Sequence, residues 1–421
     1  MLGFCRSVAT GAASLTVLAT FSLPTSGAGT DIEVFHYLDR PADEQRVAVL
    51  RDALASTGHA WRDFTVAGGW TSRAEAILRF RVQSRNPPAV AMIKTPFMQY
   101  WAGNGALLPL DQVAAEQRWD ELLPKAIADT VKYQGRYYAV PLNIHRVNWL
   151  WINERILKES GAAAPTNWDE FFVTAEAMRR AGYAAVAYYG RPTQNLLLFE
   201  MIALGVGGPA FHRKALVEYD AQALGGPLMD QVFRIYRQIK PYTEQSPNAR
   251  VSIELGNSKF QTGMVGMHLM GDWANPAFYP RDKAAPFKAL CVPAPGSSGS
   301  FLFASDAVAM FRSADAATSR GQLAFAGAIM SAKAQHGYSL QKGSIPARQG
   351  GKLDGYNACS LKTAEAFRAA TLANALLPAI SMTASREVED AIQAIVTEFW
   401  NDDRMSPQAA MRRLVEATRR R

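Results

Sequence analysis

Residues 31–57 read DIEVFHYLDRPADEQRVAVLRDALAST, and the change of period inside this text decides the fold class. DIEVFHY alternates, with Ile32 and Val34 on one face of a strand. Pro41, Asp43 and Glu44 then suit a helix first turn, and Val47, Leu50 and Leu54 line one helical stripe. The unit repeats downstream. WRDFTVAG (61–68) is a second strand, and AEAILRFRVQS (74–84) a second helix stopped by Asn86-Pro87-Pro88. AVAMIK (89–94) is a third strand. Strand–helix–strand–helix–strand order predicts an α/β fold with a parallel sheet covered on both faces.

The pattern shifts beyond Pro141. NIHRVNWLWIN (143–153) reads as a strand region loaded with tryptophan and hydrogen-bonding side chains. PTNWDEFFVTAEAMRRAG (165–182) reads as a capped helix, with Thr166 as cap and Asp169 three residues on. Trp168, Phe171, Phe172, Ala175 and Met178 form its buried face. Tyr183 to Tyr189 is a short strand, and 194–240 is largely helical. MVGMHLMGDWA (264–274) is a buried strand with a polar-aromatic tip, and FLFASDAVAMF (301–311) is another. From about residue 360 the text is mostly helical.

A chain of 421 residues is too long for one core and suits two lobes. Charged residues at 19% and aromatics at 10% are ordinary for a globular protein. The opening 28 residues read as an export signal: Arg6 is the positive start, Val8 to Leu23 the apolar run, and Ser26-Gly27-Ala28 the small residues before a mature start at Gly29. A membrane anchor would need about 20 firmly apolar residues. No later stretch reads as a span. The net charge of +8 is scattered rather than gathered in an aromatic-interleaved stripe, which argues against nucleic acid. Once Cys5 leaves with the leader, Cys291 and Cys359 remain. In an oxidising compartment a disulfide is favoured over two buried thiols.

Catalytic and metal motifs are missing from the text. There is no His-Glu-x-x-His, Cys-x-x-Cys, Walker loop or Gly-x-Ser-x-Gly. Gly205-Val206-Gly207-Gly208-Pro209-Ala210 fits a dinucleotide pattern formally, but it follows helical text and contains a proline. The histidines at 36, 59, 145, 212, 268 and 336 have no ligand spacing. No enzyme activity, metal or cofactor is expected. Several strands instead end in residues that suit a sugar, in which rings cover the apolar face and Asp, Asn or Lys satisfy the hydroxyl rim.

The elements VAGG (66–69), NPPA (86–89), WAGNGALLPLD (101–111), GRYYAVPLNIHRVNWLWIN (135–153), TNWDEF (166–171), MGDWA (270–274), SDAVAMF (305–311) and KGSIPAR (342–348) carry a resemblance. The chain resembles the solute-binding proteins of carbohydrate ABC transporters, in the maltose-binding-like superfamily, and within it the glucose/mannose-binding branch. The resemblance implies a two-lobe, type II periplasmic binding protein fold with a ligand cleft between the lobes. Residues 29–140 plus 302–345 would form the first lobe, and 141–301 plus 346–421 the second. It implies a monomer in the periplasm that delivers a sugar-like solute to the permease subunits of an importer. Tyr37, Lys94, Asp272, Trp273, Asp306 and Lys342 are the implied ligand contacts. Trp149 and Trp151 are expected in the core, while His145 and Arg146 serve the hinge or approach the cleft.

Departures from the branch redirect specificity. The expected His-Trp-Trp is here His36-Tyr37-Leu38, and the following acid is either Asp43 or Glu44. No histidine follows His336, and the matching region reads Leu377-Pro378-Ala379-Ile380-Ser381-Met382. Arg191-Pro192-Thr193 lacks the branch's tryptophan after proline. Glucose is therefore expected to bind weakly, and another polyol, sugar or sugar acid better. A non-sugar solute, a sensor partner and a glycan hydrolase are the alternatives, the last disfavoured by the missing paired acids.

Overall fold

The computed structural model describes residues 1–3, 31–69, 72–188, 190–243, 253–279 and 287–419. The apolar part of the leader, the start at Gly29 and Tyr189 lie outside them. The first sheet begins with β1 (Asp31–His36), β2 (Ala60–Thr65) and β3 (Val90–Ile93) and gains β4 (Ala139–Pro141). The chain then leaves through β5 (His145–Arg146) into a second sheet of β6 (Trp149–Asn153), β7 (Ala184–Val186), β8 (Val265–Leu269) and β9 (Ala289–Pro293). It returns through β10 (Phe301–Ala304) and β11 (Ala307–Met310), and β12 (Leu376–Pro378) comes last.

The first sheet has the order β2-β1-β3-β11-β4. β1 pairs in parallel with β2 and β3, as the alternating text predicts. β11 enters antiparallel to both β3 and β4, so the sheet is mixed. The cause is that β11 comes back from the other lobe, in the reverse direction. The second sheet has the order β9-β6-β8-β7, and β5, β10 and β12 form a small sheet between the two. FLFASDAVAMF is therefore two strands in two sheets, with Ser305-Asp306 at the switch, not the single strand that its apolar run predicts. An unbroken buried run cannot reveal a change of partner.

Each sheet has its own core. Ile32, Val34 and Phe35 of β1 and all of β3 pack with Val47, Leu50 and Leu54 of α1 (Glu44–Ala55) and Leu78 of α2 (Ser72–Gln83). The corner after β3 places Lys94 at the start of α3 (Thr95–Gly103). In the second core, Leu150, Ile152, Met267 and Leu269 meet Trp168, Phe171, Ala175 and Met178 of α4 (Trp168–Arg180). The α4 cap is one residue later than expected. Asn167 accepts from the Glu170 backbone N–H, and Glu170 in turn accepts from Thr166 N–H at 2.7 Å. Asn ranks above Thr as a cap, and its side-chain oxygen satisfies an otherwise orphaned N–H of the first turn.

The dinucleotide-like glycines lie inside α5 (Pro192–His212). A Cβ at Gly205 would sit 2.1 Å from the Pro295 carbonyl oxygen, so glycine here allows a helix and a turn to touch. The helical stretch Pro192–Val217 is long and apolar enough to cross a membrane by length and composition, contrary to the expectation that no later stretch would qualify. Its apolar side chains, Leu198, Phe199, Met201 and Ile202 among them, are spent on the second core. Trp149 and Trp151 are buried as expected, donating to Thr363 Oγ1 at 3.2 Å and to the Met270 carbonyl at 2.8 Å. They belong to a third cluster that contains the Cys291–Cys359 disulfide.

Candidate functional site

Three short crossings join the two lobes: Leu142–Ile144, Ser305–Asp306, and the residues after α6 (Ala332–Lys342). They hydrogen-bond to one another. Leu142 N–H donates to the Asp306 carbonyl at 2.8 Å, and Ile144 and Ile345 exchange both backbone bonds at 2.7 and 3.0 Å. Asp306, the centre of the polar cluster, thus lies on a crossing.

The Asp306 carboxylate is buried and surrounded by donors. Oδ1 accepts from Tyr37 Oη–H at 3.1 Å and faces Lys94 Nζ at 3.2 Å. Oδ2 faces Lys342 Nζ at 3.2 Å and accepts from Tyr338 Oη–H at 3.4 Å. Burial alone would raise its pKa, but Lys342 and Lys94 hold it well below the usual carboxylate range. Burial pushes Lys342 down, with Asp306 resisting. Burial and the Asp306 charge together keep the Tyr37 and Tyr338 hydroxyls protonated far above pH 10.

A second carboxylate is linked to this one. Asp272 Oδ2 accepts from Arg146 N–H at 2.8 Å, and Oδ1 meets His145 Nδ1. Burial raises the Asp272 pKa, against the pull of His145. On the far side of the ring, Asn143 Nδ2 lies 2.8 Å from His145 Nε2 and 2.9 Å from Ser344 Oγ. Asn143 Oδ1 accepts from Asp306 N–H at 2.9 Å, which fixes the amide orientation. His145 Nε2 also lies 3.6 Å from Asp306 Oδ2, so the imidazole bridges the two carboxylates. Trp273 stands edge-on to His145, with centroids 5.4 Å apart.

All six residues singled out in the sequence fall in this network: Tyr37, Lys94, Asp306 and Lys342 directly, Asp272 and Trp273 through His145. Asn143, Tyr338 and Ser344 were not singled out. Asn143 lies in the quoted 135–153 run. Tyr338 sits in α6 and looks like any helical aromatic. Of the two candidate acids, Asp43 is the buried one, held by Arg46 and by Arg40 at 2.9 Å, while Glu44 is exposed. Leu38 and Met382 are both buried apolar residues.

Two inter-lobe cavities flank the network. The larger, 620 Å³, is lined by Arg46, Gln341, Asn275 and Asn357 and touches none of the six. The other, 530 Å³, reaches Lys94 and is the one continuous with the network. Gly343, at φ +80°, lies against the second lobe: a Cβ would come 2.5 Å from Pro276 Cδ and 2.7 Å from the Asp272 carbonyl oxygen. Among the described residues no cluster of His, Cys, Asp or Glu could hold a metal ion.

Paired α/β lobes with a polar cluster at their crossings define a two-lobed binding protein. The family model "Bacterial extracellular solute-binding protein" matches residues 63–357, and this chain belongs to that family. A "Probable sugar-binding periplasmic protein" of Rhizobium meliloti is 33% identical over 405 residues, covering 95% of each chain. Another of that name, from Brucella suis, is 32% identical over 92% of this chain and 91% of its own. Among solved structures, a chitin oligosaccharide binding protein superposes with a TM-score of 0.80 at 18% identity, over 93% of this chain and 99% of that one. A maltose-bound protein of T. maritima gives 0.76 at 16%, over 93% and 99%. The fold is the maltose-binding-like, two-lobed one.

Proposed function

We propose that this chain is the periplasmic sugar-binding component of an ABC importer, clamping a sugar-like solute between its lobes and delivering it to the membrane permease. The carrying observation is the Asp306 network, a dense set of hydrogen-bonding groups on the crossings with a cavity opening beside it. Full-length relatives named as sugar-binding periplasmic proteins support the reading.

The lobes are assigned as 29–140 plus 302–345 and 141–301 plus 346–421. Phe367 and Ala370 of α7 (Ala358–Leu372) nevertheless pack into the first core, so α7 ties the lobes together. Tyr37, Lys94, Asp272, Trp273, Asp306 and Lys342 are the assigned contacts. Asp306 accepts from solute hydroxyls, Lys94 and Lys342 donate, and Trp273 offers a ring face. Asp306 already has at least four donors, about the capacity of a carboxylate. A solute hydroxyl must therefore displace one of them, and closure selects solutes that replace what they remove. The protein acts without catalysis, as a secreted monomer.

The test is native mass spectrometry of the purified protein for a carried solute, followed by calorimetry with that solute. A sugar or sugar derivative is expected. A carried amino acid or peptide would overturn the reading. Glucose is expected to bind more weakly than about 1 μM, because Leu38 and Met382 provide neither a stacking ring nor an imidazole.

A further inference from the structure

The 530 Å³ cavity has a wall that the Asp306 network does not use. Glu75 and Arg79 of α2 face it from the first lobe. Arg386 and Glu389 of α9 (Arg386–Asn401), which follows α8 (Ile380–Thr383), face it from the second. Ser381, Thr383 and Ser385 add hydroxyls. This is a polar, charged chamber joined to Lys94 at its inner end.

Its three cations differ in how they are matched. Lys94 is matched by Asp306 at 3.2 Å. Arg386 is matched by Asp390 at 2.6 Å and by Glu389 at 3.5 Å. Arg79 has no carboxylate within 4 Å among the described residues. Its guanidinium instead lies over two rings, 4.9 Å from the Tyr100 centroid and 5.6 Å from that of Phe97. These rings are themselves nearly parallel, at 8°. Stacking fixes the plane of a guanidinium and leaves its N–H edge free to bond in that plane.

Three carboxylates, Glu75, Glu387 and Glu389, also line the chamber, none of them within 4 Å of the Arg79 guanidinium among the described residues. Glu387 sits on the exposed rim. Burial raises Glu75 to about 7 against the pull of Arg386 and, more weakly, of Arg79 one turn along the helix, with Glu389 and Asp390 reinforcing the rise. Burial also raises Glu389, against Arg386. The group without a direct carboxylate partner is therefore one planar cation, stacked on two rings in a cavity that hydroxyls and Lys94 also line. A planar monoanion matches it with two parallel hydrogen bonds.

Resting on the sugar-binding reading above, we propose that the solute is an acidic sugar, a uronic or aldonic acid, whose carboxylate is received by Arg79 while Lys94 and Asp306 hold its hydroxyls. Titration calorimetry on the full mature protein tests this with glucuronate, galacturonate and gluconate against glucose, galactose and mannose, with glucose 6-phosphate as a third arm. The best acid should bind about 10- to 100-fold tighter than its neutral counterpart, the usual gain for a charge-assisted pair. In Arg79→Gln that ratio should collapse toward one. Arg79→Lys, which keeps the charge and loses the fork, should lie between and serves as a second variant if Arg79→Gln folds poorly. Neutral sugars binding as tightly as the acids would overturn the acidic-sugar inference and leave the sugar reading standing. Glucose 6-phosphate binding tightest would overturn the carboxylate. If no sugar of any charge binds, the sugar reading itself falls, and this inference with it.

Discussion

The Asp306 network and the Arg79–Glu75–Arg386 chamber both lie between the lobes, yet they are built on opposite plans. In the first, one carboxylate is held by two lysines and two tyrosines, and its charge is locked on. In the second, acids crowd one another across the gap, and one arginine rests on rings with no carboxylate within 4 Å among the described residues. The difference teaches how a cleft divides its tasks. On the proposed reading, a saturated cluster can only exchange partners and so senses hydroxyl geometry, whereas an unsaturated wall has capacity left over and so senses charge.

The hardest way to break this contrast is Asp306→Ala. It leaves the buried Lys342 and the partly buried Lys94 without their anion, so chemical denaturation should reveal a loss of about 3–5 kcal/mol. Solute binding should vanish with it. A loss below about 1 kcal/mol would mean that the two lysines turn to solvent, and that the network is not tightly built.

Next comes the fit between the lobes. Gly343→Ala pushes a methyl group into Pro276 and the Asp272 carbonyl at a positive φ. A cost of about 1–3 kcal/mol is expected. Small-angle scattering should give a larger radius of gyration than wild type. An unchanged radius with full solute affinity would argue that the lobes do not close on this contact.

Acid and base should act on the two regions with opposite sign. The depressed pKa of Asp306 stabilises the fold at neutral pH, and that contribution is lost as pH falls through the carboxylate range. Glu75 runs the other way. Burial lifts its pKa from an ordinary 4.5 to about 7, with Glu389 and Asp390 adding and Arg386 and Arg79 opposing. Below about pH 4.5 both the folded and unfolded chains hold this proton. Between 4.5 and 7 the folded state holds more of it, so stability falls as pH rises. Glu75→Gln should flatten that decline in a pH series of thermal melts. An identical slope in the variant would remove Glu75 from the account.

The smallest effects compare single contacts. Tyr37→Phe deletes one of several donors to Asp306 and should cost about 0.5–1.5 kcal/mol. Arg79→Gln deletes a half-exposed cation–π contact and should cost no more than about 1 kcal/mol of stability. If the second exceeds the first, Arg79 is a structural residue and its stacking has another purpose.

Much of the architecture was legible in the residues themselves. β1, α1, β2, α2 and β3 announce their periods plainly, and their parallel pairing follows. The two tryptophans of β6 and the buried face of α4 were readable for the same reason. The return strand β11 was not, because its direction is set by a crossing some 165 residues after β4, which leaves no local trace. The cluster residues were legible only through a family resemblance. Asn143 bonds across 163 residues to Asp306, and Tyr338 reaches the same carboxylate from a helix whose period gives no hint of it. Arg79 and Glu75 read as an ordinary solvated helix face, since what makes them unusual is a partner element more than 300 residues away.

Asp306 lies on a crossing, and this has a mechanical consequence. When one lobe turns on the other, points near the pivot travel least and points far out on the arms travel most. The Asp306 carboxylate would therefore stay almost still through opening and closing, while Arg386 and Ser381 sweep toward and away from Arg79. If the solute binds as proposed, it would find its first contacts on the stationary pivot already in place, at little cost in lost freedom. The moving wall would then test it, and a molecule with the wrong far end would leave before the arms came together.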